Sequence, residues 1–172
     1  MTVAEIFSEI SAHMIEGMMF HSQMIQYYDF LGLPGYAKDH YKQYKSESKA
    51  WVKLCRHYTV KHNALLKDSK VSDPKAIPEQ WYKHVRSDVD NNTKRNAVRS
   101  GLERWALWEN ETKSLYQKMY AELMDIGEID DAILFQEYVR DVSNELCQVE
   151  WYLLSKKAED YNLSDVISEQ KH

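Results

Sequence analysis

Four glutamates raise the question of chemistry. A carboxylate in a helical interior is costly unless it is hydrogen-bonded, paired or bound to a metal, and Glu16, Glu47, Glu109 and Glu145 each lie on or beside an apolar stripe. Glu109 falls within its stripe, Glu47 adjoins Tyr44 and Trp51, Glu145 adjoins Val142 and Val149, and Glu16 stands four residues before Phe20. Four carboxylates meeting in one layer would make an oxygen-rich donor set of the kind that suits iron or manganese. His13, one turn before Glu16, and His40, two turns before Glu47, place imidazoles on the same faces. The same glutamates have two plainer readings. They form a metal-free polar network with donors from Tyr44, Trp51, Trp105, Tyr116 and Tyr138, or they mark stripe edges that reach water.

Positioning those side chains requires helices whose heights match. Apolar residues recur every three or four positions at Val3, Ile6, Ile10, Met14, Gly17, Phe20, Met24 and Tyr27, and again at Ala37, Tyr41, Tyr44, Ser48, Trp51, Leu54, Cys55 and Tyr58. A third stripe holds Val98, Leu102, Trp105, Glu109, Thr112, Tyr116, Met119 and Leu123, and a fourth Ala132, Phe135, Val139, Val142, Leu146, Val149 and Leu153. This spacing predicts helices over about 3–31, 35–66, 90–126 and 129–160. Glycine and proline at Leu31-Gly32-Leu33-Pro34-Gly35, and Gly127, mark tight reversals between the first two and the last two. Glu16 precedes Gly32 by 16 residues and Glu47 follows it by 15; Glu109 and Glu145 are each 18 from Gly127. At about 1.5 Å rise per residue both pairs sit level, roughly 22–27 Å from their turns.

Residues 67–90 are the one long connection, with Asp73-Pro74, Ile77-Pro78, Trp81 and Tyr82 and no sustained period. A crossover between two hairpins is the expected reason for its length, with a short helix opening at Pro78-Glu79. The expected fold is therefore all-α, a single antiparallel four-helix bundle domain over residues 1–172. A short C-terminal helix is expected over 166–170, after a cap at 162–165.

Composition narrows the class further. Five Gly and three Pro in 172 residues are too few for the turns of an all-β protein. A mean hydropathy of −0.64 and no apolar run near 18 residues predict a soluble chain without a membrane span. The N-terminus lacks the features of a secretory signal, so a cytoplasmic location is expected. Cys55 and Cys147 sit in apolar patterns and are expected to be core residues. A net charge of −5 argues against non-specific attraction to nucleic acid, with Lys94, Arg95, Arg99 and Arg104 the dissenting cluster. His57 and His62 fall where they would complement the dipole of the second helix. No phosphate-binding glycine loop, Cys-x-x-Cys, His-Glu-x-x-His or serine-nucleophile signature is present.

The hairpin Leu33-Pro34-Gly35-Tyr36-Ala37-Lys38 followed by Glu47 resembles the first junction and second-helix ligand region of ferritins, and Glu145-Leu146-Cys147-Gln148-Val149-Glu150-Trp151 resembles the fourth-helix segment of bacterioferritins. The chain thus resembles the ferritin-like superfamily. That resemblance implies Glu16, Glu47, Glu109 and Glu145 as ligands of iron or manganese, a ferroxidase-like activity, and assembly into a homo-oligomer. The family places Glu-x-x-His on two helices. Here Ala50 stands at the first histidine position and Gln148 at the second, so Gln148 and His13 complete the candidate ligand set. The competing expectation is a helical interaction protein that has lost its metal and uses its twelve Tyr and five Trp at protein contacts.

Overall fold

The computed structural model describes residues 1–67 and 70–158. Among them the regular structure is all helical: α1 (Val3–Phe30), α2 (Pro34–His62), α3 (Asn91–Asp125) and α4 (Ile129–Ala158), with no strand. Two short 3₁₀ turns, Glu79–Lys83 and Arg86–Asp88, interrupt the connection before α3. The first begins where Pro78-Glu79 is expected to open a helix. No helix among the described residues is long and apolar enough to cross a membrane. The expected cap and helix over 162–170 lie outside the described residues.

Local chemistry sets the helix ends. Glu5 and Thr2 form a reciprocal capping box: the Thr2 amide donates to Glu5 Oε2 at 2.8 Å and the Glu5 amide to Thr2 Oγ1 at 3.2 Å. Asp90 Oδ1 accepts the Thr93 amide at 2.8 Å and caps α3. After α1, Gly32 takes φ +72, and the amides of Gly32 and Leu33 return to the carbonyls of Asp29 and Tyr28. After α3, Gly127 takes φ +79, and the amides of Gly127 and Glu128 return to Met124 and Leu123. Both reversals are glycine-dependent Schellman ends. α2 stops four residues before the expected boundary because Asn63 adopts a left-handed conformation, φ 48 and ψ 46, which asparagine tolerates.

The chain divides into two compact units. In the unit Phe7–Asn96, α2 folds back along α1 so that residues at similar distances from Gly32 touch. Tyr28 stacks on Tyr36 at 4.9 Å, Trp51 Nε1 donates to Ser11 Oγ at 2.9 Å, and Phe7 packs on His57 and Tyr58 at 6.0 and 5.2 Å. The connection runs along α1 in the direction of α1 itself. Glu16 Oε1 accepts the Ser72 amide at 2.8 Å, Gln23 Oε1 accepts the Ala76 amide at 2.8 Å, and Tyr27 meets Trp81 edge to face at 5.6 Å. Those three α1 residues are spaced seven and four apart and so share one helix face, which explains how 70–78 is held in place without regular structure.

The second unit contains, among the described residues, Met1–Ile6 and the chain from Ala97 to the end of α4. Here α4 folds back along α3 about Gly127, with Tyr116 and Tyr138, each 11 residues from that glycine, in ring contact at 5.9 Å. Every residue of the expected α3 stripe is buried, Glu109 and Thr112 included. On α4 the stripe is buried at Ala132, Phe135, Val142, Leu146 and Val149. Cys147 is exposed and both cysteines are free, contrary to the core expectation for Cys147. It follows Leu146 by one residue and is therefore turned about 100° off the stripe.

Candidate metal-binding carboxylates

Glu109 is fully buried on α3, and the indole of Trp105, one turn earlier on the same helix, donates to its Oε1 at 3.0 Å. Glu145, on α4, is half-buried and hydrogen-bonded to Glu109. Burial pushes the Glu145 carboxyl up to about 7; the charge of Asp141 adds to this, and the bond to Glu109 opposes it. Two carboxyls in one hydrogen bond need a proton between them, because one must present an O–H for the other to accept. At neutral pH the pair is therefore poised between holding and releasing that proton. Gln148 is exposed on α4 and lies on the solvent side of that helix.

In the unit built on α1 and α2, Glu47 lies against Gly17. A Cβ built on Gly17 would stand 3.3 Å from Glu47 Cδ and 3.4 Å from Oε1. The missing side chain makes the room the glutamate occupies. The half-buried Glu47 has a flexible end that can shift a few tenths of an ångström. Gly17→Ala is therefore expected to raise stability by about 0.5–1 kcal/mol through helix propensity, and urea denaturation measures it; a loss would mean that Glu47 is held rigidly.

Glu16 uses Oε1 to anchor Ser72, as described above, and its Oε2 is 3.9 Å from His13 Nδ1. Burial pushes His13 down to about 4, so the ring is neutral at pH 7 and that contact is not an ion pair. Among the described residues, no three His, Cys, Asp or Glu side chains within either unit bring ligand atoms within 4.8 Å of one another. Of the two pairs expected to sit level, Glu109 and Glu145 meet; Glu47 lies against Gly17, while the Glu16 carboxylate reaches Ser72 instead.

His40 does not accompany Glu47. It pairs with His21, which is not among the expected ligands. Both are fully buried, their Nδ1 atoms are 2.9 Å apart, and Tyr28 stacks on His40 at 5.5 Å while Phe20 closes on His21 edge to face at 5.3 Å. Burial lowers His21 to about 3 and His40 well below its usual range, with His21 adding to the effect on His40. A signal existed: His21 shares the spacing of Met24 and Tyr28, and His40 that of Tyr36 and Ala37. Of the expected network donors, Trp105 reaches Glu109, Trp51 bonds Ser11 and Tyr44 is exposed. His57 and His62 pack on Phe7.

No protein-family model matches the chain, and none of the curated proteins matches it.

Proposed function

We propose that the chain is a divergent ferritin-like protein that binds one hard divalent cation, iron or manganese, through Glu109 and Glu145. The observation that carries this reading is the hydrogen-bonded carboxyl pair of α3 and α4, one member buried and the other raised to about 7. A proton held there near neutral pH is what a divalent cation would displace, since both neutralise two adjacent carboxylates. The donor set fits a single oxygen-ligated ion. It does not fit an oxygen-activating pair of metals, because Ala50 cannot ligate and Gln148 is exposed, so no oxidation step is assigned. The finer fold assignment, an antiparallel four-helix bundle with a crossover, belongs to the same proposal and draws support from two glycine-capped reversals and the connection along α1.

Calorimetric titration of the purified chain with Mn(II) at pH 8 tests the reading. One equivalent should bind, and Glu109→Gln with Glu145→Gln should abolish it. Failure of both Mn(II) and Fe(II) to bind, or equal binding by the double variant, sinks the assignment. A second reading, a metal-free interaction protein, is favoured by Trp151 and Leu154, which are 62% and 70% exposed less than one turn apart on α4. Concentration-dependent sedimentation of a metal-free protein that is lost in Trp151→Ser would support it.

A further inference from the structure

A net charge of −5 conceals a helix of the opposite sign. α2 carries seven Lys and Arg against Asp39 and Glu47. Six of those cations, Lys38, Lys42, Lys45, Lys49, Lys53 and Arg56, are spaced four, three, four, four and three apart, and all are exposed. At about 100° per residue that spacing confines them to an arc of roughly 80°. The arc lies opposite the buried face formed by Tyr36, Ala37, His40, Leu54 and Tyr58. The six span about 27 Å along the helix at 1.5 Å per residue, a single straight row with a cation every turn. Tyr41, 52% exposed, flanks the row with Lys45 over its ring at 4.8 Å, and Tyr44 lies nearly parallel to it at 6.4 Å. Toward the end of α2, Lys49, Lys53 and Arg56 line an open groove of about 560 Å³ together with Val52 and Val60.

We propose that this face of α2 binds single-stranded nucleic acid. A one-dimensional row of ammonium and guanidinium groups complements a linear chain of phosphates. The exposed tyrosines beside it supply π-faces on which unpaired bases stack regardless of sequence. A duplex would turn its second backbone away from so narrow a row and offer no free base. An acidic membrane is less well matched, because the apolar side of this amphipathic helix is already spent on α1. The negative remainder of the chain does not forbid binding: at physiological salt charges beyond about 8 Å are screened, so a phosphate on the row feels mainly α2.

Fluorescence anisotropy with a labelled twenty-residue oligodeoxythymidine, titrated between 50 and 200 mM salt, tests the proposal on the whole chain. Affinity should fall with salt at a log–log slope of about −0.7 per phosphate contacted. Lys42→Gln, Lys49→Gln and Arg56→Gln together should weaken binding about a hundredfold at 0.1 M salt and flatten the slope by about 2. These side chains are exposed, so circular dichroism should show the triple variant folded; Lys94→Gln with Arg95→Gln on α3 should bind as the parent does. The proposal is overturned if the oligonucleotide does not bind at 50 mM salt, or if the triple variant keeps the parent slope. It is likewise overturned if binding appears only with phosphatidylserine vesicles or only with duplex.

Discussion

Acidification from pH 6.5 toward 4 is expected to unfold this protein, with a midpoint near pH 5, and replacing His21 and His40 together by Leu is expected to lower that midpoint by about one unit. His13, His21 and His40 are held neutral by burial, the first two at about 4 and about 3. In the unfolded chain each takes a proton near pH 6.5. Their contribution is therefore intact above that value and is lost as the pH falls toward the folded values, at about 1.4 kcal/mol per pH unit for each ring. Three rings give a slope of about 4 kcal/mol per unit against a total stability of roughly 5–15 kcal/mol. Glu145 works the other way, because its raised carboxyl favours the folded state as pH falls from 7, but one group offsets only about a third of the slope. The 2.9 Å contact between the two Nδ1 atoms sharpens the effect. It requires one ring to carry its proton on Nδ1 and the other on Nε2, and a second proton on the acceptor sets two N–H groups against each other. His40→Leu alone should cost about 1–3 kcal/mol at pH 7 by depriving a buried imidazole of this bond. The double variant should recover most of that loss, since removing both partners leaves neither stranded. Circular dichroism followed against pH reads both. An acid midpoint unmoved in the double variant would show that the transition belongs to other groups.

Helices and their reversals were legible because one period and one residue type determine them. Every position that three-and-four spacing names on α3 from Val98 to Leu123 is buried, with Gly101 and Trp108 buried beside it, and Gly32 and Gly127 adopt the positive φ that their places require. α2 was harder. Counting Tyr41 and Tyr44 as apolar shifts its stripe, whereas the structure buries His40 and leaves the two tyrosines exposed. Tyrosine is large and amphipathic, so its presence does not fix a face; the lysines opposite are the better marker, because an ammonium almost never enters a core unpaired. Lys156, on α4, is the one fully buried lysine among the described residues. Counting residues from Gly127 is enough to set Glu109 level with Glu145, since a tight hairpin makes height a function of distance from its turn. Counting could not find the role of Glu16, which depends on where residues 70–76 lie, and an irregular segment has no period from which to read that.

Glu145→Gln is expected to raise stability at pH 8 and leave it nearly unchanged at pH 5. The carboxyl is pushed up to about 7 mainly by burial, whereas in the unfolded chain it ionises in the ordinary range. Between those two values the folded state holds the proton more tightly than the unfolded state, so stability declines as pH rises through that window and is flat above it. The loss is about 2–3 kcal/mol. An uncharged amide of the same shape cannot ionise, and its carbonyl keeps an acceptor for the hydrogen bond with Glu109. At pH 8 the variant should therefore melt about 5–10 °C above the parent for a chain of this size. Adding Mn(II) at pH 8 should raise the melting temperature of the parent and leave the variant unmoved, because a cation bound to the folded state alone stabilises it by mass action. Proton and metal would then be alternative occupants of one seat. A variant that melts below the parent at both pH values would instead mean that the carboxyl of Glu145 contributes through its packing and its acceptor geometry, with its charge state immaterial.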